Sequence, residues 1–263
     1  MFEGADDWKQ RRFPLSRESV VTSADGQLQD SFRNQILAAL PPAEIGLLRP
    51  VLTRVRLANG VDLHEPGEPI RQVFFVESGF ASMVAGVDDA SASIEVGLIG
   101  REGMTGLAAL SSPEMTPFNR VMVQMPGAAY CMPAQALRDN AEAMPVLRQL
   151  LSRAVEAMLA QVSQTAACNS KHNLSQRLAR WLLLAHDRAD GDELPLTQEF
   201  LAVMLAVRRP GVTITMGALQ AAGLVRHSRG RVLIRDRAGL EGAACGCYGR
   251  VKAFTAALAA RPL

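Results

Sequence analysis

The stretch LTQEFLAVMLAVRRPGVTITMGALQAAGLV (196–225) decides how this chain is read. Its spacing predicts two short helices joined by a tight turn. Thr197 is a good N-cap residue for the first. Phe200, Leu201, Met204 and Leu205 recur at helical spacing and define a buried face. Ala202 is small enough for a second helix to cross close above it. Ala206-Val207-Arg208 makes the turn. The second helix opens at Arg209-Pro210, where proline is tolerated because first-turn N–H groups have no partner inside the helix. Val212, Met216 and Leu219 point to the core, and Gly223 ends the helix. The opposite face, with Arg208, Arg209, Thr213 and Gly217, is left free.

Such a pair is a helix-turn-helix, whose second helix lies in a DNA major groove with its N-terminal residues at the base edges. The eleven residues 224–234 support it. Leu224 to Arg226, then His227-Ser228-Arg229-Gly230, then Arg231 to Ile234 reads as strand, turn and strand, a wing beside the two helices. Arg229 at its tip and Arg226 and Arg231 on its flanks are placed to meet phosphates. From Thr197 to Arg237 there are seven arginines against two acids, Glu199 and Asp236, a local excess of +5 in a chain of net charge +2. A polyanion would be held there.

Outward from this stretch, 263 residues with 48% hydrophobic content suffice for one large domain or two ordinary ones. The opening residues, MFEGADDWKQRR, are charged and lack the apolar region of a secretory signal. No run is long and apolar enough for a membrane span. Cys131, Cys168, Cys245 and Cys247 form neither a CxxC pair nor an evenly spaced framework, so a reducing cytoplasm fits. Cys245-Gly-Cys247 could bind a metal or sense oxidation, but no further Cys or His stands nearby in sequence to complete four ligands, and no metal is expected. No nucleophile–base set or phosphate loop appears, and the four histidines are dispersed, so catalysis is not expected.

The chain divides into four parts. Residues 1–30 read as an irregular segment. Residues 31–144 begin with a helix bearing Phe32, Ile36, Leu37 and Leu40, ended by Pro41-Pro42, with a second helical piece through Leu47 and Leu48. Short alternating runs come next: Val51 to Leu57, Val61 to His64, Val73 to Glu77, a turn at Ser78-Gly79, Phe80 to Val87, Ser93 to Leu98, Val121 to Met125 and Ala129 to Met132. These are strands of a barrel or sandwich. Residues 145–168 form one long helix with Pro145 in its first turn. Residues 169–263 hold a further helix from Lys171 to Ala189, with Leu174, Leu178, Trp181 and Leu182 inward. The DNA-reading unit comes after it, then a tail helix with Val251, Phe254 and Leu258 at helical spacing.

The long helix carries Leu147, Leu151, Ala154, Met158, Val162 and Thr165 on one stripe. Leu150, Val155, Ala157 and Leu159 lie on the other side. A helix apolar on two sides is covered on two sides, by the β region and by the same helix of a second chain. The first stripe is taken as the dimer contact.

The order of parts, an α+β chain with a glycine-punctuated β-roll, one long helix and a winged helix-turn-helix, resembles the Crp/Fnr family of bacterial transcription regulators. The stretches that carry the resemblance are LANGVDLHEPGEPIRQVFFVESGFASMV (57–84), HNLSQRLARWLLL (172–184) and LTQEFLAVMLAVRRPGVT (196–213). The resemblance implies an N-terminal cyclic-nucleotide-binding-like domain and a cytoplasmic homodimer on a two-fold symmetric site in double-stranded DNA. RNA polymerase is a further implied partner.

Two departures refine it. Cyclic-nucleotide-binding members carry a glutamate after a glycine and an Arg-Ser pair. Here the stretches read Gly103-Met104-Thr105-Gly106-Leu107 and Phe118-Asn119-Arg120-Val121, so cAMP is not the expected effector and the effector is unknown. A cyclic-nucleotide-responsive regulator, using Glu102 and Arg120, remains an alternative, as does a thiol- or metal-responsive one using Cys245 and Cys247. No cysteine precedes Cys131, which argues against an N-terminal iron–sulfur cluster, and His64 alone is a weak haem ligand. In the reading helix, familiar members show Arg-Glu and a second Arg four residues after the Glu. Here Arg209 keeps the first position, while Pro210 and Ile214 replace the others. Base readout is therefore expected to centre on Arg209, with Thr213 and Ile214 assisting. Thr197, Gln198, Arg208 and Arg229 are expected at the backbone.

Overall fold

The computed structural model describes residues 21–23, 31–86 and 93–263. The expected irregular segment 1–30 lies outside them except for Val21–Ser23, which forms strand β1 on the edge of the first sheet. The charged opening residues 1–12 and Val87, the expected end of a strand, also lie outside them.

Asn34 anchors the first helix. Fully buried, it caps helix α1 (Gln35–Ala38) by accepting from the N–H groups of Ile36 and Leu37 at 3.1 and 3.2 Å. Its amide donates to the carbonyls of Val76 and Gly103, tying the helix to the sheet. Pro42 opens helix α2 (Pro42–Leu48), and a 3-10 helix at Arg49–Val51 takes up Val51, the first residue expected in a strand.

The first sheet is antiparallel, in the order β1-β2-β7-β4-β5, with β3 added on β7 and β6 on β4. Its strands are β2 (Thr53–Leu57), β3 (Asp62–His64), β4 (Gln72–Gly86), β5 (Ser93–Ile99), β6 (Met104–Thr105) and β7 (Arg120–Pro133). The turn expected at Ser78-Gly79 is a correction. β4 runs through it as one strand, with register shifts against β7 from Val76 to Ala81. Bulges of this kind bend a strand without ending it. Glycine is required on both sides: Gly79 has φ +70°, and a Cβ on Gly127 opposite would meet the Ser78 carbonyl oxygen at 2.0 Å. For the same reason the two runs expected at 121–125 and 129–132 are one strand, β7.

Helix α3 (Ala134–Ala143) was not anticipated; it leads into the long helix α4 (Pro145–Lys171). The start of α4 is capped from a distance. The Glu44 carboxylate accepts from the N–H groups of Val146 and Leu147 at 3.1 and 2.8 Å, a negative charge at the positive end of the helix dipole. Asn173 and Gln176 then form a reciprocal capping box that starts α5 (Leu174–His186).

The rest is the expected unit: α6 (Gln198–Met204), α7 (Arg209–Ala221), and a small sheet in the order β8-β10-β9, from Glu193–Leu194, Arg231–Ile234 and Val225–Ser228. Helices α8 (Arg237–Ala243) and α9 (Cys247–Ala259) end the chain. In the tail, Val251 and Leu258 are buried as expected, whereas Phe254 is 40% exposed. A single apolar core joins Phe80, Val84 and Leu98 of the β-roll to Trp181 and Leu184 of α5 and to the interior of the helix-turn-helix.

The candidate nucleic-acid interface

Thr197 caps α6 through its hydroxyl, which accepts from the Phe200 N–H at 3.1 Å. Leu201, Ala202, Met204 and Leu205 are buried, and Phe200, half-buried, packs edge-on to Trp181 with ring centroids 5.9 Å apart. The turn depends on Ala206, whose φ of +51° lies in the left-handed region, and on the Val207 N–H, which donates to the Ala202 carbonyl. It bends α6 against α7 by 110°, within the range of a helix-turn-helix. Val212, Met216 and Leu219 are buried beneath α7. At its end, Gly223 has φ +76°, and the Leu224 N–H reaches back to the Leu219 carbonyl.

The outer face of α7 is open. Arg208, Arg209, Thr213 and Gly217 are all exposed; the Arg209 side chain is 65% accessible and Ile214 is 74% exposed. An isoleucine so exposed contributes little to packing the unit. Local hydrogen bonds order this face. The Thr213 hydroxyl donates to the Gln198 side-chain oxygen at 2.7 Å, linking the two helices. Arg209 is held loosely, 3.8 Å from Glu199, where both groups face water. A pair so exposed contributes little, and Arg209 is free to exchange partners.

The wing stands beside it. Arg229 and Gly230, with φ of +46° and +77°, make the two-residue turn between β9 and β10. Arg226 and Arg229 are exposed, while Arg231 pairs with Glu193 at 2.6 Å. Arg237 is turned away: it binds Asp187 and the Tyr248 hydroxyl. The cationic face is thus narrower than the seven-arginine count implied.

Several polar contacts, buried and exposed, set this unit on the β-roll. Trp181 Nε1 donates to Glu95 at 2.7 Å, and Ser82 donates to the other oxygen of the same carboxyl. Burial pushes the Glu95 carboxyl up to about 7, against the opposing effects of these two bonds and of Arg188 and Arg180. Arg188 pairs with Glu102 at 2.7 Å, and Arg33 binds Asp190.

The residues considered for a cyclic nucleotide are engaged elsewhere. Arg120 makes a two-pronged contact with Asp62 at 2.6 and 2.8 Å, and Glu102 holds Arg188. Val76, Ala81, Ile99 and Val121 pack as one apolar cluster in the roll. His64 is buried, its Nε2 is 2.9 Å from the Thr105 hydroxyl, and burial lowers its pKa to about 4.

The stripe assigned to dimer contact is corrected. Leu147 and Leu151 are buried in the chain's own core, with Ala154 packed against the same cluster. Met158 lies against the Ile99 cluster, and buried Thr165 accepts from Arg180. The outer side carries Val155, 45% exposed, Leu159, 65% exposed, and exposed Ala166, with half-buried Val162 between them. Val162 alone belongs to both stripes.

The fold gives the cysteines neighbours that are distant in sequence. Cys245 and Cys247 do have neighbours: Cys168 and His172, from the end of α4, complete a group of four donor atoms within 4.8 Å of one another. Cys131 is buried apart from them, in the sheet. Burial, aided by the bond with Cys245, pushes the Cys168 thiol up to about 12.

No single helix among the described residues is long and apolar enough to cross a membrane. No curated protein matches the sequence. Residues 176–243 match the Crp-like helix-turn-helix domain model. The solved structures similar to this one include a Crp/Fnr-family transcriptional regulator of Eubacterium rectale, 20% identical with a TM-score of 0.62, over 78% of this chain and 94% of that one. FixK2 of Bradyrhizobium japonicum is 15% identical with a TM-score of 0.63, over 74% and 98%. The c-di-GMP-responsive global regulator CLP of Xanthomonas campestris is 19% identical with a TM-score of 0.59, over 74% and 99%. The chain therefore has the fold of the Crp/Fnr transcription regulators, and its residues 176–243 are a Crp-like helix-turn-helix domain.

Proposed function

We propose that this protein is a sequence-specific, DNA-binding transcription regulator that acts as a homodimer on a two-fold symmetric site. The observation that carries the reading is the open outer face of α7, headed by Arg209 and bordered by a wing with an exposed Arg229. Arg209, with Thr213 and Ile214, reads base edges. An arginine can bond guanine O6 and N7 together, and an isoleucine can pack on a thymine methyl. Thr197, Gln198, Arg208 and Arg229 hold the phosphate backbone.

The second copy covers the outer side of α4. Val155, Leu159, Val162 and Ala166 recur by steps of four, three and four, the spacing of a coiled-coil seam, and the described part of the chain leaves Val155 and Leu159 uncovered. Gating by cAMP is not part of the reading, because Arg120 and Glu102 are held by Asp62 and Arg188.

Selection of bound sequences from random DNA tests the reading. An enriched motif with two inverted half-sites about one helical turn apart is expected. Enrichment of an asymmetric motif, or of none, would overturn it. Titration calorimetry with cAMP tests the effector: heat of binding in the micromolar range would contradict the pocket argument.

A further inference from the structure

The four-donor group at the end of α4 lies outside the DNA-reading face and has a chemistry of its own. Two of its members come from one helix end. Cys168 is the last but three of the residues in α4, and His172 is its C-cap, so the two share a face one turn apart. The other two flank Gly246 at the start of α9, where the Cys245 and Cys247 side chains both turn inward. Cys168, Cys245 and Cys247 are 0%, 5% and 6% exposed, and His172 closes the group on its half-buried side.

We propose that Cys168, His172, Cys245 and Cys247 form a site for a single tetrahedral metal ion, with zinc the ion it fits. Three sulfurs and one imidazole nitrogen are a zinc-binding set. At a zinc–sulfur distance of about 2.3 Å, two sulfurs of a tetrahedron stand about 3.8 Å apart. Cys168 and Cys245 Sγ are 3.4 Å apart, and Cys247 Sγ is 3.6 Å from His172 Nδ1. All four donors lie within 4.8 Å of one another. Shifts of a few tenths of an ångström to about one ångström would bring them around one ion. A cluster of several irons spreads its thiolates over different metal atoms and needs them further apart.

The surroundings fit a bound ion. Gln164 donates to Cys247 Sγ at 3.0 Å, the kind of outer contact that orients a thiolate ligand. Zinc with three thiolates and a neutral imidazole carries one net negative charge. Arg180, buried at 4% exposure, and Arg177 both interact electrostatically with Cys168 and would balance it. Loading exchanges thiol protons for the ion, so the balance is one zinc in and three protons out, with no change of oxidation state. The ion would fasten the end of α4 to α9, at the point where the chain turns into the DNA-reading unit.

The test is metal content and affinity of the whole chain, purified under reducing conditions without chelator. About one zinc per chain is expected by elemental analysis. Cobalt substitution is expected to give thiolate-to-cobalt and tetrahedral d–d absorption bands. Cys168→Ser, Cys245→Ser and His172→Ala should each weaken zinc binding at least about 100-fold, since loss of an outer contact alone costs 10–100-fold. Cys131→Ser should leave it unchanged. His172→Ala spares the buried thiols and keeps the test open if a cysteine variant does not fold. Reduced protein that binds neither zinc nor cobalt at micromolar concentration would overturn the proposal. So would iron with labile sulfide in place of zinc, or zinc retained at full affinity in all three variants. None of these readouts involves DNA, so failure here is distinguishable from failure of the regulator reading.

Discussion

Glu95→Gln is the substitution whose consequence can be worked furthest. The Glu95 carboxyl lies between the β-roll and α5, bonded to Ser82 and Trp181 and 6% exposed. Burial disfavours its ionised form and raises its pKa from 4.5 to about 7. Below pH 4.5 both native and unfolded chains hold the proton, and the residue costs nothing. Between 4.5 and 7 the unfolded chain ionises in water while the native one does not, so stability falls as pH rises. Above 7 both are ionised and the loss is complete. The gap between the two values corresponds to about 3 kcal/mol. Glutamine has the shape of the protonated acid and can keep both partners, accepting from Trp181 and donating to Ser82. The variant should therefore match the original chain near pH 4.5 and exceed it by about 3 kcal/mol at pH 8. Urea unfolding of both chains at fixed concentration across this range measures the difference. A difference that does not change with pH would mean that Glu95 titrates alike in the native and unfolded chains.

Three further substitutions test other parts. Arg229→Ala should weaken binding to matched and scrambled DNA about equally and lower the salt-dependence slope by about 1, as read by binding isotherms at several salt concentrations. A loss confined to the matched site would contradict a backbone role. Leu159→Glu places like charges across the seam and removes buried apolar surface, so sedimentation equilibrium should show dimerisation weakened at least about 100-fold. Unchanged association would move the dimer contact elsewhere. Asn34→Ala removes the partners of the Ile36 and Leu37 N–H groups and of the Val76 and Gly103 carbonyls. Urea unfolding should register a loss of about 2–4 kcal/mol, and one below about 1 kcal/mol would show that these groups find other partners.

The helix-turn-helix and its wing were legible in the sequence because the signals are local. The Thr197 cap, the buried triplet Val212, Met216 and Leu219, and Gly223 all lie within one stretch of chain. The outer face of α7 emerged from the same periodicity. The bend in β4 was not legible as such. Ser78-Gly79 has the composition of a turn, and only its pairing with Gly127 on β7 makes it a bulge. Helix α3 escaped because AQALRDNAEA carries one large apolar residue, Leu137. That much of the stripe expected at a dimer contact is covered by the chain itself was not legible for a related reason. Periodicity locates two apolar faces on α4 but cannot say which the chain itself covers. The Cys–His group was invisible because Cys168 and Cys245 are 77 residues apart in sequence. Only the docking of α9 along α4 brings them together.

The proposed regulator depends above all on Arg209 reading bases from an open helix. That role is tested most directly by comparing Arg209→Ala with the original chain on the selected site and on a scrambled site at one salt concentration. The ratio of the two affinities should fall about 5- to 150-fold, the equivalent of one lost two-pronged base contact of about 1–3 kcal/mol. Equal loss on both sites, with the ratio unchanged, would contradict it.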